Sequence, residues 1–545
     1  MKSIKTKIFA ILLLGGMFSC SDDTLRVYDK TQQLDAVEAV NDPFLLSSII
    51  KKTTIFYEDQ AYSTTTLPGA TQYIVRNYQG GDNYYSAFKQ PSDKMYDAMD
   101  ILKLVDASIK LSAERLSYTH QGIFQIFRVM LFQYMTDFYG DVYYTQALQG
   151  REGILYPKYD TQQSIYTGLL SEIDNAISLI NKGSETISST YDLMYAGDKT
   201  KWLKLANSVK LRLLVHASSK LTTAGTEIAK IKDNVLSSAS DNAAIQFIGT
   251  AQDNAWKGGT LNWNSSEEFD KRRSSRTLVN KLISLNDPRL PIWFAPCEKP
   301  WTTDPAKAGK TVTTTDPNGY SYTSTWEYID LTNAKIAAQK DNILDKDQLY
   351  TGFIAGMPGD WKNGNGHYDT DNGGVVGNFK VSKLSTLFRQ NSHKLLQATI
   401  MNADEVQFDL AEAVVKGLIT GDADVYYRAG ITASLSRWGV SSTNIATYLA
   451  QSSISLPTDK AGKLAKIAEQ KWIAFFMVGA EPYLDLRRTN LPSILTEGYL
   501  VNYQFPVRFR YPANELGQNK DAYDAGVATL SPAVDDQYSK MWLLQ

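Results

Sequence analysis

The sequence predicts a mainly α-helical protein, built from stacked helix pairs of tetratricopeptide type and interrupted by a loop-rich, mixed α/β insertion. Three observations carry this reading. Apolar residues recur at spacings of three and four in two parts of the chain, about 92 to 237 and 396 to 490. Small residues fall where paired helices would cross, at Ala206, Ala411 and Ala413. From about 240 to 395 the helical period gives way to Gly, Asn, Asp, Thr, Ser and aromatic residues. There is no clean repeat of about 34 residues with its consensus.

The N-terminal segment comes first. Lys2, Lys5 and Lys7 precede "IFAILLLGGMFSC". A charged start, an apolar run too short to cross a hydrocarbon core of ~30 Å, and small residues before a cut together read as a secretory signal. Gly15, Gly16 and Ser19 lead into Cys20, with Ser21, Asp22 and Asp23 behind it, which resembles a bacterial lipobox. On that reading residues 1–19 are removed and the Cys20 thiol carries diacylglycerol, an anchor of ~0.8 kcal/mol per buried methylene. Cys297, the other cysteine of two, then has no disulfide partner, so stability must come from a large core. Nothing after residue 20 reads as a membrane span.

Charge excludes one class of partner. Lys plus Arg number 56 and Asp plus Glu 58, so no basic face is available to hold nucleic acid through its phosphates. The 32 tyrosines, 20 phenylalanines and 10 tryptophans exceed what a helical core asks for, because the polar tips of Tyr and Trp require partners or water.

The helices follow in order. Ile123, Phe127, Met130, Leu131, Tyr134 and Phe138 line one face of a helix, with Gly140 supplying the turn that ends it. Ile165, Leu169, Ile173, Ala176, Ile177 and Ile180 line a second, and Trp202, Leu205, Ala206, Val209 and Leu213 a third. Val406, Leu410, Ala413 and Val414 form a fourth that starts with Asp404 and stops at Gly417. Leu464, Ile467, Ala468, Trp472 and Phe475 form a further one. The insertion is punctuated by turn pairs such as Asp316-Pro317 and Asn318-Gly319, and so long an irregular stretch is usually functional. Residues 491–545 read as irregular.

Several segments carry a resemblance. "YMTDFYGDVYYTQAL" resembles the T-D-x-Y-G-D-x-P-Y-x-E-A signature of the SusD/RagB nutrient-binding lipoproteins of Bacteroidetes, with Tyr144 and Gln146 replacing proline and glutamate. "DLMYAGDKTKWLKLANSVKLRLLVH", "MNADEVQFDLAEAVVKG", "IAEQKWIAFFMVGAEPYLDLRRTNLP" and "FRYPANE" are similar to four more blocks of that family, and the form is nearer its second SusD-like subgroup. The resemblance implies one SusD-like domain over 20–545 and a right-handed stack of helix pairs supporting a ligand face. It also implies a place on the outer surface of the outer membrane, capping a SusC-like TonB-dependent transporter. Asp22 and Asp23 resemble the surface-export signal of these bacteria. The motif residues Asp137, Asp141, Asn207, Arg212, Glu405, Glu412, Arg487 and Arg488 read as structural, pairing between layers or bonding to local amides.

A sugar ring lays its C–H bonds on an aromatic face and meets Asn, Asp, Arg or Gln at the rim. Two stretches supply that mixture. One is "VRNYQGGDNYYSAF", with Arg76, Asp82, Asn83, Tyr84 and Tyr85 around Gly80-Gly81. In starch-binding relatives this part of the chain contributes an arginine, an asparagine and an aromatic residue. The other is the insertion, with Trp263, Trp301, Trp326, Tyr328, Tyr350 and Trp361.

Catalysis is disfavoured. The four histidines show no metal spacing and no G-x-S-x-G is present. Glycosidase chemistry needs two carboxylates ~5 to 9.5 Å apart. Glu481 and Asp485 have a possible spacing, but they belong to a structural motif. "DTDNGG" at 369–374 lacks the final carboxylate of a calcium loop and reads as a turn. No cofactor or metal is expected. The expected function is capture of an oligosaccharide for the transporter. The alternative is a peptide- or protein-binding lid of RagB type.

Overall fold

The computed structural model describes residues 41–63, 66–76, 85–262, 267–332, 345–354, 380–494 and 504–545. Cys20 and the signal segment lie outside them, as do Asp82, Asn83, Tyr84, Trp263, Trp361 and the 369–374 turn.

The helices α1 (Asp42–Glu58), α2 (Lys94–Glu114), α3 (Tyr118–Tyr139), α4 (Gln162–Lys182), α5 (Lys199–His216) and α6 (Ala224–Ile231) form the first group. Consecutive members pack side by side from α2 to α6, and α1 lies across α2 and α3. Sequence chemistry sets their starts. Asn41, Thr161 and Asp198 each turn a side-chain oxygen onto free amides of the first turn, at 3.3 Å to Phe44 N, 3.2 Å to Ser164 N and 2.9 Å to Thr200 N. Such a cap contributes about 1 kcal/mol. At the other end of α3, Gly140 takes a φ of 90°, which a side chain would oppose.

Sequence period gives α3 one apolar face, yet in the structure it is buried almost all round. Phe124, Ile126, Val129, Phe132 and Met135, on the remaining faces, are fully enclosed. A helix apolar on every side belongs at the centre of a large core. By contrast α4 behaves as read, with Ile165, Leu169, Ile173, Ala176 and Ile180 all buried. The helix α1 precedes both groups found by period. It carries its own signals in the Asn41 cap, Pro43, and the Leu45, Leu46, Ile49, Ile50 spacing.

The second helical group comes after a short insertion helix, α7 (Arg276–Ser284). It comprises α8 (Ala403–Lys416), α9 (Ala423–Arg437), α10 (Ser442–Leu449), α11 (Lys460–Ala474) and α12 (Glu481–Thr489). Here α8 packs on α9, α11 and, across the groups, α5. The C-terminal stretch is not wholly irregular, since it holds the short helix Ala513–Gln518 and α13 (Lys520–Ala528).

Eight short strands are found among the described residues, paired two by two: β1 (Ile74–Arg76), β2 (Ala243–Gln246), β3 (Arg272–Ser274), β4 (Trp301–Thr302), β5 (Thr311–Thr315), β6 (Ser321–Thr325), β7 (Glu327–Tyr328) and β8 (Gln397–Met401). The antiparallel β2–β8 pair closes the insertion at its neck, bringing its first and last residues together. The insertion is therefore a lobe that leaves the helical stack and returns to it at one point.

Two apolar cores result. One joins α1–α6 to the C-terminal segment. The other seats the lobe on the second helical group, where Trp293 stacks on Phe476 at 4.4 Å and meets Trp438 edge-on at 5.5 Å.

Buried ions lock the two groups. Arg212 of α5 donates to both oxygens of Glu405 of α8, at 2.5 and 2.9 Å. Arg488 of α12 does the same to Glu412 of α8, at 2.6 and 2.8 Å. Lys471 of α11 lies 2.7 Å from Asp409 and 3.0 Å from Asp485. Asp137 accepts from the Tyr166 hydroxyl at 2.6 Å, and Asp141 accepts from the Gln162 amide at 2.8 Å. Both acids bind the adjacent helix, and Asp137 also accepts from the Gln133 side-chain amide of its own helix at 3.3 Å. Cys297 is a free, buried thiol. No helix among the described residues is long and apolar enough to cross a membrane.

Candidate functional site at the base of the lobe

The run Lys271-Arg272-Arg273-Ser274-Ser275-Arg276 forms the middle of a small polar layer. β1 pairs antiparallel with β3, setting Arg76 opposite Arg272 and Ile74 opposite Ser274. On the far side Ser274 N donates to Ser382 O at 3.1 Å, and Phe353 N donates to Ser274 O at 2.7 Å. Arg276 N returns a bond to Phe353 O at 2.8 Å, while its guanidinium meets Asp345 at 3.1 Å. Four strips of chain, around 74, 274, 353 and 382, thus share one layer.

The strips of this layer adjoin, in the chain, four segments outside the described residues. Segment 77–84 leaves from Arg76, and 263–266 arrives just before β3. Segment 333–344 ends beside Asp345, and 355–379 departs after Ile354 and returns at Lys380. The four segments hold Asp82, Asn83, Tyr84, Trp263 and Trp361.

The predicted rings that fall within the described residues divide. Tyr85 is 2% exposed and packs edge-on against Phe505 at 5.6 Å, so its ring faces the core and offers no open face. Trp326 is buried, with the Lys307 ammonium 5.4 Å from its centroid. Tyr350 is half-buried against the second core, and its hydroxyl is pushed up to about 12, chiefly by burial. Trp301 is half-buried, with the Lys380 ammonium 3.6 Å from its centroid and so covering one face of the indole. Tyr328 is exposed at 47%. The parallel β4–β7 pair places Trp301 beside Glu327 and Thr302 beside Tyr328, so these positions are neighbours.

Sequence reading missed the cations. Arg272 and Arg273 are 3% and 4% exposed, and Lys380 is buried while ion-paired to Glu327. Burial pulls the Arg273 guanidinium below its usual range, partly offset by Asp270 and Glu298. The signal was available, since Lys271 to Arg276 holds four cations in six residues of a nearly neutral chain. The layer holds Trp301 against the Lys380 ammonium and encloses the Arg272 and Arg273 guanidinium groups and the Ser274 hydroxyl.

His216, Glu481 and Asp485 are the one group of metal-ligating side chains close enough to share an ion among the described residues. Each is already engaged. His216 meets Glu481 at 2.7 Å and Asp137 at 3.4 Å, and Asp485 meets Lys471 at 3.0 Å and Arg488 at 2.5 Å. Burial would raise the Glu481 carboxyl, but His216 and Arg212 hold it well below its usual range. These residues fasten helices.

A helical stack that carries a loop-rich lobe on a fixed polar base defines a scaffold-and-platform protein of the tetratricopeptide-like class. The chain belongs to the SusD-like family: the profile of its second subgroup, described as "Starch-binding associating with outer membrane", matches residues 34–351 and 350–512. Solved structures share the fold. A SusD homologue from Bacteroides fragilis superposes with a TM-score of 0.71 at 21% identity, covering 93% of this chain and 99% of its own. A SusD-like protein from Bacteroides thetaiotaomicron gives 0.65 at 21%, covering 92% and 98%. A protein named as chitin-binding gives 0.69 at 23%, covering 92% and 100%. No curated protein matches the chain in sequence.

Proposed function

We propose that this protein is a cell-surface glycan-binding lipoprotein that captures an oligosaccharide and delivers it to a SusC-like TonB-dependent transporter, held at the outer membrane by acyl chains on Cys20. One observation supports the reading: described strips that flank the Gly-, Asn- and aromatic-rich segments in the chain meet in a single polar layer, with Trp301 bridging to Lys346 and Tyr328 on the neighbouring strand pair. Arg76, Asp82, Asn83, Tyr84, Trp263, Trp301 and Trp361 are the proposed contacts, while Tyr85, Trp326 and Tyr350 support them from within. The site binds without breaking bonds. The acids nearest to a glycosidase spacing, Glu481 and Asp485, are each neutralised by cations inside the helical stack.

Platforms of this kind bury few apolar atoms and exchange many hydroxyl–water bonds, so capture is of modest affinity and release is easy. The test is a paired glycan and peptide array on the soluble form lacking residues 1–20, repeated with Trp361→Ala and Tyr84→Ala. Glycan signals that both substitutions weaken are expected. Signals confined to peptides would replace this reading with the RagB-type alternative.

A further inference from the structure

A cavity lies where the second helical group meets the C-terminal strip. Its volume is about 800 Å³, within the range of small-molecule sites. Its inner wall holds Lys416, Lys471 and Arg488, each ion-paired to Glu412, Asp409 or Asp485.

Three further lining cations differ. Arg487, Lys220 and Lys540 have no carboxylate within 4.0 Å among the described residues. Arg487 is the decisive one. It lines the cavity, is 4% exposed, and its Nη1 donates to Val507 O at 2.7 Å and to Met541 Sδ at 3.9 Å. A guanidinium withdrawn from water and left without a counter-charge is costly, and an anion in the adjoining cavity relieves that cost. Ser218, Ser219 and Asn490 add hydroxyl and amide groups to the wall, and Leu464 and Leu543 add apolar side chains.

We propose that this cavity binds a carboxylate-bearing, polyhydroxylated small molecule of sugar-acid type, its carboxylate facing Arg487 and its hydroxyls meeting the serine and amide wall. The planar fork of arginine matches a carboxylate in a way that a lysine ammonium does not. None of the lobe contacts proposed above is among the described residues that line this cavity, so the two readings can be tested apart.

The test is calorimetric titration of the soluble chain lacking residues 1–20 with sodium glucuronate, alongside glucose, sodium chloride and sodium sulfate. Saturable binding of glucuronate is expected, with none of glucose and no competition from chloride or sulfate at equal ionic strength. Arg487→Lys should weaken it about tenfold or more, and the surface variant Lys540→Gln a few-fold. The Lys540 variant keeps the test decisive if Arg487→Lys does not fold, because Lys540 is exposed and bears no structural contact of its side chain. Absence of glucuronate binding, equal binding of chloride or sulfate as an adventitious ion only, or undiminished affinity in Lys540→Gln would each overturn the proposal. Loss of array signals at the lobe with glucuronate binding intact would count against the glycan reading alone.

Discussion

In the helical scaffold, buried cations meet carboxylates carried by other helices: Arg212 with Glu405, Lys471 with Asp409, Arg488 with Glu412. In the lobe, cations are paired as well, Lys380 with Glu327 and Arg276 with Asp345, but the partners sit on strands and loops, and buried cations also lie against aromatic faces, as Arg272 does over Tyr62 at 4.8 Å and Lys380 over Trp301 at 3.6 Å. The first arrangement fixes the register of helices and leaves little for a ligand to do. The second holds Trp301 and buried cations in a layer whose strips run on, in the chain, into segments 77–84 and 355–379. Rigidity in one region is what lets the other vary without loss of the fold.

The sharpest way to break this contrast is to remove a scaffold ion. Lys471→Ala leaves Asp409 and Asp485 buried without their shared cation, and a loss of about 3–5 kcal/mol is expected in denaturant unfolding. An unchanged midpoint would show that the network is ornamental.

The same network sets a pH dependence. Burial alone would depress His216, but Glu481 and Asp137 overcome it and hold the imidazole at about 9. Because the folded value lies above the unfolded one of 6.5, this stabilisation is complete below pH 6.5 and is lost as pH rises through 9. The expected decline is at most about 3 kcal/mol, read from unfolding midpoints at several pH values. His216→Gln should flatten it.

A substitution in the lobe should separate the two regions. A Cβ on Gly352 would lie 2.2 Å from the Arg276 Cα, so Gly352→Ala must push apart the strips that form the polar layer. A cost of about 1–3 kcal/mol is expected, with helical circular dichroism retained and glycan affinity lost. Equal loss of both signals would mean that lobe and scaffold do not behave as separable parts.

Smallest of all is the effect of one exposed ring. Tyr328→Ala should leave stability within about 0.5 kcal/mol and weaken glycan binding a few-fold, checked by calorimetry. No change in affinity would remove the β4–β7 edge from the site.

How much of this was legible in the sequence follows the same division. Period alone located α4 and α5, because one-sided burial imprints spacings of three and four, and Gly140 and Gly417 marked true helix ends. It understated α3, whose enclosure on every side blurs the period. Arg212 and Glu405 read as paired structural residues, but their pairing with each other spans 193 positions and no local pattern reports it. In the lobe, aromatic residues in turn-rich sequence read as surface. Trp326 is instead buried within the lobe, and Tyr85, read as a ligand contact ahead of the lobe, belongs to the helical core. The convergence of 74, 274, 353 and 382 is a property of strand pairing between remote segments, invisible to any window along the chain.

Hydrogen–deuterium exchange of the soluble chain, with and without an array-identified oligosaccharide, tests the central claim most directly. Protection is predicted to concentrate on segments 77–84, 263–266 and 355–379 and on the strips around 274 and 382, with α2 to α5 unaltered. Protection centred on those helices, with the lobe segments unchanged, would contradict the account.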